Sequence, residues 1–225
     1  FEPNTHGDKV VIQRYVRNPL LLGGRKFDVR CYFLIASTRP FLVLFREGYV
    51  RRSLTTYTED DLSDRFAHLT NAAVQKKHAD YEAQREDSIW SMEQLQTHLE
   101  AEGRAPPGWV ADTLTPRMRA VCAEVFESAR ARLTPRRGLF ELFGVDFLVD
   151  EGLGAWLLEV NTNPALFVNS RVQAGVIPPL VDDTLKLALA AWERTTDSTE
   201  LDASTLPGID KFSIIYNESA PAAPA

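Results

Sequence analysis

The run Gly144-Val-Asp146-Phe-Leu-Val-Asp150, the turn residues Glu151-Gly152-Leu153-Gly154 and the run Ala155-Trp-Leu-Leu-Glu159-Val-Asn161 constrain this chain most, because together they read as one antiparallel hairpin. With a four-residue loop, Asp150 faces Ala155. Counting back in pairs puts Leu148 opposite Leu157 and Asp146 opposite Glu159. Like charges directly opposite on a sheet repel, so a cation between these two carboxylates would explain the pairing. Asn161 adds a neutral oxygen on the same face. Three oxygen ligands without His or Cys suit a hard divalent ion such as Mg²⁺. A solvated polar strand face is the other reading of the same pattern, and spacing leaves both open.

The 225 residues, 44% hydrophobic and 25% charged, are those of a soluble globular protein of one or two domains with a real core. A net charge of −6 argues against general affinity for nucleic acid, so an acidic partner needs a local basic patch. Cys31 and Cys122 sit among apolar residues, which suits a reducing compartment. No apolar run is long enough to span a bilayer and no secretory signal opens the chain, so a cytoplasmic protein is expected. Phe1 stands where Met would, and a core strand follows within a few residues. The chain is therefore expected to be a piece of something longer.

Strands are expected over Val10 to Val16, Phe27 to Ala36 and Phe41 to Phe45, the last two joined by Ser37-Thr-Arg-Pro40 and the third ended by Glu47-Gly48. In the second strand Phe27, Val29, Cys31, Phe33 and Ile35 form an apolar face. Lys26, Asp28, Arg30 and Tyr32 share the other. The polar stretch from Ser53 to Lys77 is expected to loop across the surface. Ser91-Met-Glu-Gln94 is a capping box, and Met118, Val121, Cys122, Val125, Phe126, Ala129 and Leu133 mark an amphipathic helix from Pro116. Pro178-Pro179 is expected to open a helix to about Trp192, Phe212 to Tyr216 a short strand, and Ala220 to Ala225 a disordered tail.

Lys26, Asp28 and Arg30 project in one direction, which suggests an anion lying over that face; an exposed sheet face of mixed charge is the alternative. Arg51, Thr70 and Asn71 are candidates for the same site. No GxxxxGK phosphate loop occurs, and Gly23-Gly24 is too short a signal to count as one. His6, His68, His78 and His98 are scattered and read as structural or solvated.

Gln13-Arg-Tyr-Val16, Arg25-Lys-Phe-Asp-Val-Arg30, His68-Leu-Thr-Asn71, Gly144-Val-Asp-Phe147 and Leu157-Leu-Glu-Val-Asn161, in this order and spacing, resemble the tubulin tyrosine ligase-like family. The likeness covers about Val10 to Trp192. Asn161-Thr-Asn-Pro-Ala-Leu166 and Trp90-Ser-Met-Glu93 are most similar to its polyglycylase branch. The resemblance implies an α+β, ATP-grasp-like fold of mixed and antiparallel sheets with flanking helices. It makes residues 1–195 the carboxy-terminal part of a ligase domain and 196–225 an extension. It also implies ATP and Mg²⁺. Gln13, Arg14, Tyr15, Val16, Lys26, Asp28, Thr70 and Asn71 match nucleotide-binding positions, and Asp146, Glu159 and Asn161 match metal ligands. Lys26 and Arg30 match catalytic positions, and Arg51 matches the group that takes the carboxylate of the incoming amino acid, for which a guanidinium fork suits.

The reaction so implied is ATP-dependent amide or isopeptide formation on the glutamate side chains of tubulin tails or another acidic protein, through an acyl-phosphate, by a monomer needing no covalent nucleophile. It places the chain in the cytoplasm and cytoskeleton, with a cilium or axoneme as a further setting. Ala72-Ala73 follow Thr70-Asn71 where glutamate-adding relatives usually carry Tyr-Ser, which favours glycine as donor. Relatives also have an amino-terminal region with further phosphate-binding lysines that would precede Phe1. A glutamate or tyrosine ligase, or an inactive microtubule-binding relative, are the alternatives. The basic cluster Arg25, Lys26, Arg30, Arg51 and Arg52 is the expected steering patch for the acidic acceptor.

Overall fold

Alternation of charged and apolar residues runs through a 14-residue strand that forms the centre of the sheet. The computed structural model describes residues 12–195 and 200–220. Its strands are β1 (Leu21–Leu22), β2 (Arg25–Thr38), β3 (Phe41–Arg52), β4 (Ile89–Trp90), β5 (Glu141–Val149), β6 (Ala155–Asn161) and β7 (Ser213–Asn217). Among its helices are α1 (Arg65–His68), α2 (Ala72–Gln75), α3 (Tyr81–Gln84), α4 (Met92–Ala101), α5 (Thr115–Arg130) and α6 (Arg171–Arg194). The sheet runs β4-β3-β2-β5-β6, with β1 on β2 and β7 on β3, and these pairings are antiparallel. This is an α+β, ATP-grasp-like arrangement.

The expected apolar face of β2 is the core. Phe27, Val29, Cys31, Phe33 and Ile35 pack with Leu95 and Leu99 of α4 and Met118, Cys122 and Phe126 of α5, each large side chain contributing roughly 1.5–3 kcal/mol. Both cysteines are buried and unbridged. The opposite face is buried as well, which excludes the exposed sheet face of mixed charge given as the alternative reading. Helix α6 covers it at Tyr32, Leu34 and Ala36, through Ile177 and Leu180 and then Leu187 and Ala191. Lys26, Asp28 and Arg30 continue that face beyond the helix and line cavities. Alternation reveals that two faces differ, but not what packs on each.

Bulges at Gly48 and Leu158 change which side chains reach the charged end of the sheet. β3 does not end at Glu47-Gly48; it continues to Arg52, with Arg30 paired to Tyr49 and Cys31 to Glu47, so Gly48 is the extra residue. A bulge advances the side-chain alternation by one. Phe45 and Val50 therefore share the α5 side, while Tyr49 and Arg51 turn to the face of Arg30. In the hairpin Val149 pairs with Ala155, Leu148 with Trp156 and Phe147 with Leu157, and Leu158 bulges out before Asp146 meets Glu159. The expected Leu148–Leu157 and Asp150–Ala155 pairings are thus wrong, because Asp150 joins the turn, its N–H bonding to the Gly154 carbonyl at 3.0 Å. The Asp146–Glu159 pairing holds, since one extra loop residue and one bulge offset each other.

Glycine is needed at the first bulge because a Cβ on Gly48 would fall on the Arg30 carbonyl oxygen. Gly48→Ala is expected to cost about 1–3 kcal/mol, as overpacking does. Urea unfolding measures it, and an unchanged midpoint would show that the bulge relaxes freely.

Other expectations need correction. Residues 12–16 form no strand and Ile12 is 76% exposed; no neighbouring strand pairs with this segment, while Val10 and Val11 lie outside the described residues. The stretch from Ser53 to Lys77 is not a surface loop throughout, since it contains α1 and α2 and buries Leu54, Ala67, His68 and Gln75. Pro178 and Pro179 lie inside α6, which starts at Arg171 behind Ser170, whose Oγ accepts from the Gln173 N–H at 3.2 Å. Burial of Ile177 and Leu180 on either side offsets the proline penalty of roughly 3 kcal/mol.

The capping box is present: Ser91 and Gln94 satisfy each other's backbone N–H groups. The expected strand near Phe212 is β7, and Leu201, Ala203 and Leu206 join the α6 core. The expected tail beyond Ala220 lies outside the described residues. No described helix is long and apolar enough to cross a membrane.

Candidate active site

Beyond the end of α6 the sheet presents a row of alternating cations and carboxylates. Arg30 on β2 holds Asp146 on β5 through two bonds, Nε to Oδ1 at 2.5 Å and Nη2 to Oδ2 at 3.0 Å. Arg51 on β3 holds Asp28 at 2.6 and 2.8 Å, and its Nη2 also reaches Asp146 Oδ2 at 2.8 Å. The Thr70 hydroxyl donates to Asp28. All four ionic residues are buried. Burial by itself opposes charge on Arg30, Arg51 and Asp146, but their partners outweigh it. Asp146 is held below the ordinary carboxylate range by Arg30 and Arg51, and both guanidinium values are raised.

Gly144 permits this packing. A Cβ there would lie 2.8 Å from Pro164 Cβ and 3.0 Å from Arg30 Nη1, so only glycine lets the guanidinium lie over β5. Arg30 and Arg51 therefore need no external anion, because Asp28 and Asp146 supply their counter-charge. The expected basic steering patch forms only in part, since Arg25 and Arg52 have no carboxylate ion-pair partner among the described residues. Arg30 and Arg51 are ion-paired, Lys26 is buried, Arg25 donates to Gln84 Oε1 at 2.9 Å, and Arg52 stacks on Trp90 at 4.2 Å.

Two cavities meet at this row. One, of about 640 Å³, is lined by Gln13, Arg14, Tyr15, Val16, Lys26, Asp28, His68 and Asp146. The other, of about 470 Å³, is lined by Arg30, Tyr49, Ala72, Ala73, Lys76, Asn161 and Phe167. Arg51, Thr70, Asn71 and Glu159 border both. The structure thus gathers all of the site residues expected from the sequence, in two adjoining chambers with a shared wall.

The larger chamber has a relay that the sequence did not reveal. Tyr15 OH lies 2.7 Å from His68 Nδ1, and His68 Nε2 lies 3.0 Å from the Asp61 carbonyl. A carbonyl only accepts, so Nε2 carries the proton and Nδ1 accepts from Tyr15. The Tyr15 oxygen in turn accepts from Lys26 Nζ at 3.2 Å, and the ammonium sits 4.7 Å over the Tyr15 ring. Burial pushes Lys26 down from its ordinary value, partly offset by Asp28, and pushes the Tyr15 phenol up. His68 is buried here and is not a solvated histidine. Its place two residues before Thr70 was the available signal. Gln13 pins its segment by donating to the carbonyl of bulged Leu158 at 3.1 Å.

A model of the tubulin-tyrosine ligase family matches residues 3–197. The chain belongs to the tubulin-tyrosine ligase family. It is 42% identical over 217 residues to a Macaca fascicularis protein named polyglycylase TTLL10, covering 93% of this chain and 34% of that protein. A Homo sapiens relative named inactive polyglycylase TTLL10 is 41% identical, covering 93% and 31%. A Rattus norvegicus relative named probable tubulin polyglutamylase TTLL9 is 37% identical over 179 residues, covering 79% and 38%. The chain therefore spans about a third of the length of these relatives.

The hairpin of this tubulin-tyrosine ligase family chain places Asp146, Glu159 and Asn161 together, with both Asp146 oxygens also held by Arg30 and Arg51. The Asn161 amide nitrogen lies 3.4 Å from Asp146 Oδ2 and 3.2 Å from Glu159 Oε1, bridging two carboxylates of which one is buried and one exposed. A half-turn of that amide presents its oxygen instead. Among the described residues no three His, Cys, Asp or Glu side chains cluster for a metal; the hairpin brings together two carboxylates and one amide. Mg²⁺ commonly takes one or two protein carboxylates and fills its remaining positions with water and phosphate oxygens.

Proposed function

We propose that this chain is the carboxy-terminal part of the catalytic domain of an ATP-dependent ligase that joins glycine to glutamate side chains on tubulin tails, a cytoskeletal role. The supporting observation is the pair of chambers that meet at Arg51, Thr70, Asn71 and Glu159, because phosphoryl transfer needs nucleotide and acceptor brought into line at one shared charged boundary. ATP with Mg²⁺ supplies, when bound, the phosphoryl group that activates an acceptor carboxylate as an acyl-phosphate for attack by the amino-acid amine.

In this reading Gln13, Arg14, Tyr15 and Val16 bind the base end in the larger chamber. Lys26, held by Tyr15, faces the phosphates, and its burial is relieved by an anion. Asp28, Thr70 and Asn71 complete the wall around the nucleotide. Asp146, Glu159 and Asn161 are the residues that would hold Mg²⁺. Arg30 and Arg51 orient the acceptor and donor carboxylates and shield the charge that develops between them. Ala72 and Ala73 line the smaller chamber with methyl groups only, which suits a donor without a side chain.

The test is intact-mass spectrometry of tubulin after incubation with the full-length protein, ATP and either glycine or glutamate. A ladder with glycine alone is expected. A glutamate ladder would replace the donor assignment. The human relative named inactive favours one further reading, a fold without turnover; no ladder with either amino acid, while ATP still raises the melting temperature, would establish it.

A further inference from the structure

The smaller chamber has an apolar lip that the chemistry above leaves unused. Leu166, Phe167 and Val168 follow β6 and are 37%, 67% and 48% exposed, three consecutive apolar side chains in water. Phe167 lines the same chamber as Arg30, Arg51 and Glu159. Lys76 of the opposite wall places its ammonium 5.6 Å from the Phe167 ring centre, and Arg52 of the same chamber stacks on Trp90. Neither cation forms an ion pair among the described residues, and the buried Nε of Arg52 has no hydrogen-bond partner. Glu159 is the one carboxylate among the lining residues.

We propose that Phe167 and Lys76 form the docking lip for the acceptor, and that the lip selects an acidic peptide with a bulky apolar side chain close to the modified glutamate. The proposal rests on the acceptor being an acidic peptide, as proposed above. Charge complementarity identifies the occupant, because neither mouth cation has a carboxylate ion-pair partner among the described residues, Arg52 donating only to the Asp87 carbonyl, and a glutamate-rich segment supplies what they lack. The apolar lip adds what charge cannot. An exposed aromatic beside a polar chamber is the usual anchor of a peptide interface. Since lip and ionic floor share one cavity of about 470 Å³, the carboxylate and the apolar side chain that fill it are near neighbours in the acceptor.

The experiment uses two fluorescein-labelled glutamate-rich peptides, alike except that one carries a single phenylalanine and the other glycine in its place, titrated with the full chain by anisotropy. The phenylalanine peptide should bind roughly tenfold tighter, as burial of one aromatic allows. Phe167→Ala should erase that preference while leaving the glycine peptide unaffected. Lys76→Gln should weaken both peptides and flatten the dependence on salt. Equal binding of the two peptides by the wild type, or a preference that survives Phe167→Ala, would overturn the proposal. Glycine incorporation into the same peptides is followed separately with the full-length protein, ATP and glycine: a preference without incorporation sinks the ligase reading and leaves the lip standing.

Discussion

Asp146→Ala is expected to destabilise the chain by about 3–5 kcal/mol, because it leaves Arg30 and Arg51 buried with a shared counter-charge removed. Asp146 is 2% exposed and accepts from both guanidinium groups, so water cannot replace what is lost. Asp146→Asn keeps the shape and part of the hydrogen bonding, and should lose less. Urea denaturation at neutral pH compares the three proteins. A loss under 1 kcal/mol for the alanine variant would mean that the ion-pair row is solvated in solution.

The same carboxylate sets a pH dependence in metal-free protein. Its folded pKa is depressed because Arg30 and Arg51 outweigh its burial. A depressed carboxylate stabilises the fold fully above its unfolded value, and the contribution is lost as pH falls from the ordinary carboxylate range through the lower folded one. Stability should therefore decline on acidification below about pH 4, and Asp146→Asn should flatten that decline. An equal decline in both proteins would assign the acid sensitivity to other groups.

Glu159→Gln is expected to do the opposite, sparing the fold and abolishing the chemistry. Glu159 is exposed and its recorded hydrogen bond is the 3.2 Å contact from Asn161, so its replacement should change stability by no more than about 0.5 kcal/mol. Under the ligase reading it removes one of two carboxylates for Mg²⁺, and glycine incorporation should fall on the order of 10²–10³-fold. The thermal shift given by ATP should also cease to depend on Mg²⁺. Full incorporation by this variant would remove Glu159 from the metal site. Two carboxylates that face each other on one hairpin thus give opposite signatures, because one is buried against two arginines and the other stands in water.

Much of the site was legible from local pattern. The Asp146–Glu159 pairing came from counting along a hairpin, and the apolar face of β2 came from alternation alone. Arg51 was named as a candidate, yet its route to the site was not legible. Without the bulge at Gly48 it would point to the α5 side with Phe45. Leu158 does the same for Glu159 and Asn161. The hairpin count reached the right pair with the wrong turn, since a longer loop and a bulge offset each other by one residue.

The amino-acid sequence by itself determined which side chains alternate, where helices are capped and which residue types gather as oxygen donors, because these depend on neighbours a few bonds or one turn away. Tertiary structure alone decided that α6 covers Tyr32, Leu34 and Ala36 and stops short of Arg30, that Asp28 and Asp146 neutralise the basic row from within, and that His68 reaches Tyr15 across more than fifty residues. Those outcomes depend on which distant surfaces exclude water from one another. Spacing along a single strand contains no record of what packs above it.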